Sequence, residues 1–180
     1  MRVFIAIDVP VEIRERLAVI QDKVRVSTDS ARWVAPEAIH VTLKFIGEIP
    51  EKRREDIDLA LRGLTWKHIR VSVNGVGFFP GTRSARVFWA GLEAASIEGL
   101  AEDIDARLER AGFEPERRKF RPHLTLARAK IGHFDKVMVD SAAPFAETDF
   151  GTFTVDRIFL FESTLKSGGS VYTKLKEYRL

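Results

Sequence analysis

The chain contains no cysteine, which excludes disulfides, thiolate nucleophiles and thiolate metal ligands together. Long apolar runs are missing as well. Stretches such as 3–7 and 158–161 fall far short of the ~18 residues that cross a bilayer, and are shorter than the apolar core of a secretory signal. A cytoplasmic protein with no membrane association is therefore expected. Histidine is scarce, with four in 180 residues, and no His-Glu-x-x-His or clustered His/Asp set occurs, so no metal site and no cofactor are expected. The loops that cradle nucleotides are absent too. No Gly-x-x-x-x-Gly-Lys-Ser/Thr segment occurs, and Gly75-Val76-Gly77 lacks the third glycine and following helix of a dinucleotide fingerprint. No Gly-x-Ser-x-Gly elbow is present.

What remains is an ordinary globular composition, 45% hydrophobic and 31% charged, at a length that suits one domain with a real core. Lys and Arg number 29 against 26 Asp and Glu, a net charge of +3. So small an excess suits an anionic partner and an unspecialised surface equally well. The densest basic run, Arg117-Arg118-Lys119-Phe120-Arg121, ends two residues before His123.

Hydrophobic periodicity divides the chain into alternating strands and helices. Val3 to Asp8 reads as a strand, and Val11 to Val26 as a helix with Ile13, Leu17, Ile20 and Val24 on one face. His40 to Phe45 alternates as a half-buried strand that Gly47 to Pro50 should break. A charged helix follows from Glu51 to Arg62, then a strand from His68 to Val76. The order then recurs: a strand from Arg86 to Gly91, a helix from Ile97 to Ala111 that Gly112 would cap, and a strand from His123 to Ala127. Phe150 to Phe161 takes the place of the third strand, and a turn at Ser167 to Ser170 leads to a terminal strand near Val171 to Tyr178. A single offset aligns the halves, because 123 − 40 and 86 − 3 both equal 83. An internal duplication is expected, a single two-lobed domain with pseudo-repeats of approximately 1–83 and 84–180 and a cleft at the pseudo-symmetry axis.

His40-Val41-Thr42-Leu43 and His123-Leu124-Thr125-Leu126 share the pattern His-apolar-Thr-Leu at equivalent positions of the repeat. Residues i and i+2 of a strand face the same way, so each strand presents an imidazole and a hydroxyl together. In-line displacement at a phosphodiester needs a general base on one side of phosphorus and a general acid on the other. Histidine performs either role near neutral pH. The threonine hydroxyls can donate to non-bridging oxygens, and Arg128, three residues past Thr125, can supply a cation. A lone strand histidine is more often structural than catalytic; two in matched motifs at symmetry-related positions favour function. His68 and His133 lack the motif and read as surface or strand residues.

These residues resemble the two-histidine phosphoesterases, and within them the RNA 2',3'-cyclic phosphodiesterase family, historically called 2'-5' RNA ligases. The likeness runs from Arg2-Val3-Phe4-Ile5-Ala6-Ile7 through His40-Val41-Thr42-Leu43-Lys44-Phe45-Ile46-Gly47 to Arg121-Pro122-His123-Leu124-Thr125-Leu126-Ala127-Arg128. It implies a bilobal α+β fold, two antiparallel sheets lining a central cleft with helices outside. It further implies metal-independent cleavage of an RNA terminal 2',3'-cyclic phosphate to a 2'-phosphate, with His40 the proton donor and His123 the acceptor, and with reverse 2'-5' ligation. The implied partner is RNA with 2',3'-cyclic phosphate ends, tRNA fragments being one source, and the implied state a monomer. Phe45, Trp33 and Phe78-Phe79 are candidates to stack on a terminal base, with core packing as their competing role. Two rival readings remain: a phosphodiesterase for small cyclic nucleotides, and a non-catalytic RNA-end or nucleotide binding module.

Overall fold

The computed structural model of the protein describes residues 1–166 and 169–180. Its first half runs β1 (Arg2–Asp8), α1 (Val11–Arg25), β2 (Ala31–Trp33), β3 (His40–Glu48), α2 (Arg54–Leu61) and β4 (Ile69–Phe79). The second runs β5 (Val87–Glu93), α3 (Ile97–Arg110), β6 (His123–Ala129), α4 (Lys136–Ala142), β7 (Asp149–Val155), β8 (Arg157–Lys166) and β9 (Gly169–Arg179). The periodic helices form where their apolar stripes place them. In α1, Ile13, Leu17, Ile20 and Val24 are buried, while Lys23 and Arg25 sit in the last turn, where the helix dipole favours cations. Helix α3 buries Ile97, Leu100, Ile104 and Leu108. It ends in a Schellman turn, with Phe113 N–H donating to the Leu108 carbonyl at 3.0 Å and Gly112 N–H to Glu109 at 2.8 Å. Gly112 takes φ +80° there, a conformation an L side chain resists.

Two antiparallel sheets result. One has the order β3-β1-β8-β9 and the other β2-β6-β5-β4-β7. Helices α2 and α3 pack together with α3 against β3, and α1 packs with α4 and against β7, so helices back both sheets. The fold is α+β. The sheets are not the two halves of the sequence. Strand β4, from the first half, lies beside β5, and β8, from the second, lies beside β1. The short connection from Phe79 to Val87 explains the first exchange, since consecutive antiparallel strands pair across a tight turn.

Strand pairing repeats at the 83-residue offset. Asp8 faces His40, Ala6 faces Thr42 and Phe4 faces Phe45; Gly91 faces His123, Trp89 faces Thr125 and Val87 faces Arg128. Each motif strand also skips the residue after its motif threonine, Leu43 in β3 and Leu126 in β6, and β3 skips a second residue at Ile46. Two consecutive residues after each motif threonine are consequently buried, Leu43 with Lys44 and Leu126 with Ala127. A bulge of this kind re-aims the residues beyond it. It brings Phe45 and Arg128 back to the face of their histidine and threonine.

Several expected boundaries change. Strand β3 runs through Gly47, at φ +91°, and stops at Glu48. The helix expected from Glu51 begins as a 3-10 turn over Glu51–Arg53. The segment 150–161 is two strands rather than one, because the chain leaves one sheet at Val155 and enters the other at Arg157. Strand β2 and helix α4 were not expected; three and seven residues are too short for a period to show. Of the expected Ser167–Ser170 turn, Ser167 and Gly168 lie outside the described residues.

Candidate active site

Both motif histidines open their strands and are held in the same way. His40 Nδ1 lies 2.7 Å from the Ala38 carbonyl, and His123 Nδ1 lies 2.6 Å from the Arg121 carbonyl. A carbonyl oxygen only accepts, so Nδ1 carries the proton in each ring, and Nε2 is the nitrogen free to act. Strands β3 and β6 are in contact, which brings the two motifs to one cleft. Burial depresses the proton affinity of His40 below the ordinary histidine value. The Ala38 carbonyl and Asp8 oppose that effect, while Arg128 and His123 add to it. Burial likewise lowers His123, against the pull of the Arg121 carbonyl and with the help of Arg128. Both imidazoles therefore feel the Arg128 guanidinium. Thr42 and Thr125 stand beside their histidines, each half-buried.

The two walls differ around this shared plan. On the first, His40 packs against Phe4 at 4.8 Å and meets the edge of Tyr172 at 5.0 Å, with Phe161 at 6.1 Å. Phe45, 48% exposed, stacks on Phe4 at 5.5 Å. Phe4, Ala6 and Phe161 form a small apolar cluster separate from the main core. Asp8, opposite His40, accepts from the Val9 N–H at 3.0 Å and from Lys174. An open depression of about 450 Å³ lies here between Asp8, Glu37, His40, Tyr172 and Lys174. On the second wall, His123 meets the edge of Phe79 at 5.1 Å, and Phe79 packs on Trp89 at 5.1 Å. The Trp89 indole lies over Gly77, where an added Cβ would come within 2.4 Å of the ring, so only glycine fits. Trp89 Nε1 is buried without a hydrogen-bond partner among the described residues.

Of the stacking candidates, Phe45 and Phe79 reach the cleft face. Trp33 and Phe78 turn to the core, both against Phe88, at 6.2 and 5.2 Å. In the basic run, Arg121 sits 5.9 Å above Phe79, whereas Arg117 pairs with Glu114. Sequence reasoning missed Phe4, Asp8, Trp89, Phe161 and Tyr172. The 83-residue offset pointed to the first three, since β1 and β5 flank the motif strands; Phe161 and Tyr172 come from β8 and β9 and carry no such signal. It also missed Lys44. This lysine is 3% exposed, holds Asp105 and donates to the Glu114 carbonyl at 2.6 Å, while Asp105 also accepts from the Glu116 N–H. Lys44 thereby ties β3 to the loop that leads to His123. Among the described residues no group of three or more His, Asp or Glu side chains is placed to hold a metal ion, and no helix is long and apolar enough to cross a membrane.

The family model described as LigT like phosphoesterase matches residues 7–89 and 92–172. The chain belongs to the LigT-like phosphoesterase family. Similar members include the RNA 2',3'-cyclic phosphodiesterase of Methanocaldococcus jannaschii, 33% identical over 99% of this chain and 100% of that protein. Among solved structures, TT0787 of Thermus thermophilus superposes with a TM-score of 0.84 at 32% identity, covering 100% of this chain and 98% of that one. E. coli LigT complexed with 3'-AMP gives 0.80 at 27% identity, covering 99% and 97%. The family is one of phosphodiester-cleaving enzymes, and these likenesses span nearly the whole chain, both motif strands included.

Proposed function

We propose that the protein opens the terminal 2',3'-cyclic phosphate of RNA to a 2'-phosphomonoester, using His40 and His123 as acid and base and no metal or cofactor. The matched Nδ1–H contacts to Ala38 and Arg121 carry this reading, because they leave two Nε2 atoms free at one cleft. In the step, water attacks phosphorus and gives its proton to His123 Nε2. The P–O3' bond breaks, and His40 returns a proton to the 3' oxygen. Thr42, Thr125 and Arg128 hold the non-bridging oxygens as their charge grows.

The residues opposite each ring support this assignment of roles. Burial and Arg128 lower both imidazoles, but His40 alone faces a carboxylate, Asp8, which favours its charged, proton-donating form, whereas His123 faces Gly91. Phe45, with Phe4 beneath it, offers the terminal base an exposed stacking platform. The relatives named RNA 2',3'-cyclic phosphodiesterase supply the substrate. By microscopic reversibility, the same groups join a cyclic phosphate to a 5' hydroxyl through a 2'-5' bond, with hydrolysis dominant in water. The reading includes an internal duplication of about 83 residues and a cytoplasmic monomer.

An oligonucleotide ending in a 2',3'-cyclic phosphate, incubated with the protein and excess chelator, should yield only the 2' monoester. A 3' monoester would overturn the direction of cleavage, and loss of activity in chelator would bring back a metal.

A further inference from the structure

Strand β2 pairs with β6 so that Arg32 lies directly opposite Arg128, while Ala31 faces Ala129 and Trp33 faces Ala127. Directly opposed residues of an antiparallel pair project from the same face, with Cβ atoms about 4.5–5.5 Å apart, and like charges there repel. Arg128 shares its face with Thr125 and His123, as the partners Val87, Trp89 and Gly91 show by alternation. Arg32 therefore extends the cleft wall one strand outward, about 4.8 Å further from the histidines. Both guanidiniums are exposed. Some arginines of the fold hold a carboxylate, Arg14 with Asp8, Arg53 with Asp56, Arg107 with Asp103 and Arg157 with Asp156. Others, such as Arg70, Arg83 and Arg118, hold none among the described residues; what sets Arg32 and Arg128 apart is that they stand directly opposite one another. Among the described residues, Arg32 and Arg128 have no carboxylate within ion-pair distance. Lys130, just past the end of β6 and exposed, is likewise unpaired among them.

Two opposed arginines without a counter-ion make a poor structural feature and a good pair of neighbouring anion sites. Their planar donors suit bidentate contact with phosphate oxygens. The opposite wall has no equivalent. Phe45 occupies the position matching Arg128, and β3 is the edge of its sheet, with no strand outside it among the described residues.

We propose that Arg32, one strand outward of the Arg128 that holds the reacting phosphate, binds the phosphodiester on the 5' side of the terminal nucleotide and so selects RNA chains over free cyclic mononucleotides. This rests on the hydrolase reading above and adds a polarity to it. The reacting phosphate lies between the histidines, the terminal base leans to the aromatic wall, and the upstream backbone leaves across β6 and β2.

The test compares a trinucleotide ending in a 2',3'-cyclic phosphate with a nucleoside 2',3'-cyclic monophosphate that has no 5' phosphate. The wild type should prefer the trinucleotide. Arg32→Ala should reduce its kcat/KM about tenfold, mainly through KM, and bring the ratio between the two substrates close to one. It should also flatten the salt dependence of log kcat/KM by about 0.7 in slope, the value for one single-strand phosphate contact. Arg32→Lys should recover part of the loss. Equal loss on both substrates, no loss on either, or an unchanged salt slope would overturn the proposal. Affinity for a trinucleotide ending in a 2' monoester, measured for wild type and Arg32→Ala, reads the subsite without turnover. If the wild type opened neither cyclic phosphate, the hydrolase reading would fall, while this binding comparison would still decide the subsite.

Discussion

The two motif strands share a histidine, a threonine, a skipped leucine and one register, yet they face the cleft with opposite chemistry. Around His40 the neighbours are aromatic, and the residue across the ladder is a carboxylate. Around His123 they are cationic and indole-rich, and the residue across the ladder is a glycine. In the proposed reaction, symmetry would place two equivalent groups on either side of one phosphate, and the broken symmetry around them would assign those groups different protonation and different parts of the substrate.

The severest way to break the comparison is to remove each histidine in turn. His40→Ala and His123→Ala should each lower turnover by about 10²–10⁴, the range for a positioned acid or base, while the melting temperature stays close to wild type. If one variant kept near-normal turnover, the paired acid and base scheme would be wrong.

A smaller effect separates the two positions beyond the bulges. Arg128→Ala should reduce kcat/KM by about 10–100-fold, since it removes a charged contact to the reacting phosphate. Phe45→Ala should instead raise KM by about fivefold or more with little change in kcat, in keeping with about 1–3 kcal/mol for a lost base stack. Interchanged signatures would reverse the assignment of the two walls.

The smallest effect concerns the residues across the ladder. Bell-shaped kcat/KM is expected, with the alkaline limb set by loss of the His40 proton and the acid limb by protonation of His123. Asp8 favours the charged form of His40 against burial, Arg128 and His123. Asp8→Asn should therefore lower the His40 pKa and move the alkaline limb to lower pH, leaving the acid limb in place. A shift of the acid limb alone would exchange the roles of the histidines.

Much of this site is legible in the chain itself. The pairs His40 with Thr42 and His123 with Thr125 follow from strand alternation, and the 83-residue offset makes them symmetry mates. Arg128 stands out as the nearest arginine, but simple alternation from Thr125 would point it away from the cleft. Only the bulge at Leu126 returns it. Trp33 and Phe78 show the reverse. Their composition suits stacking, and their registers against Ala127 and Phe88 send them to the core. Arg32 gives no signal at all, because a three-residue strand has no period to read.

Local sequence determined the repeated elements, the paired motifs and the absence of thiol chemistry, since alternation, helical spacing and residue identity are short-range properties of the chain. Tertiary structure decided which strands became neighbours. The exchange of β4 and β8 between sheets, the ladder partners Asp8 and Gly91, and the opposition of Arg32 to Arg128 all depend on pairing between distant segments. Such pairing is set by the burial of whole faces, so no single stretch of sequence contains it.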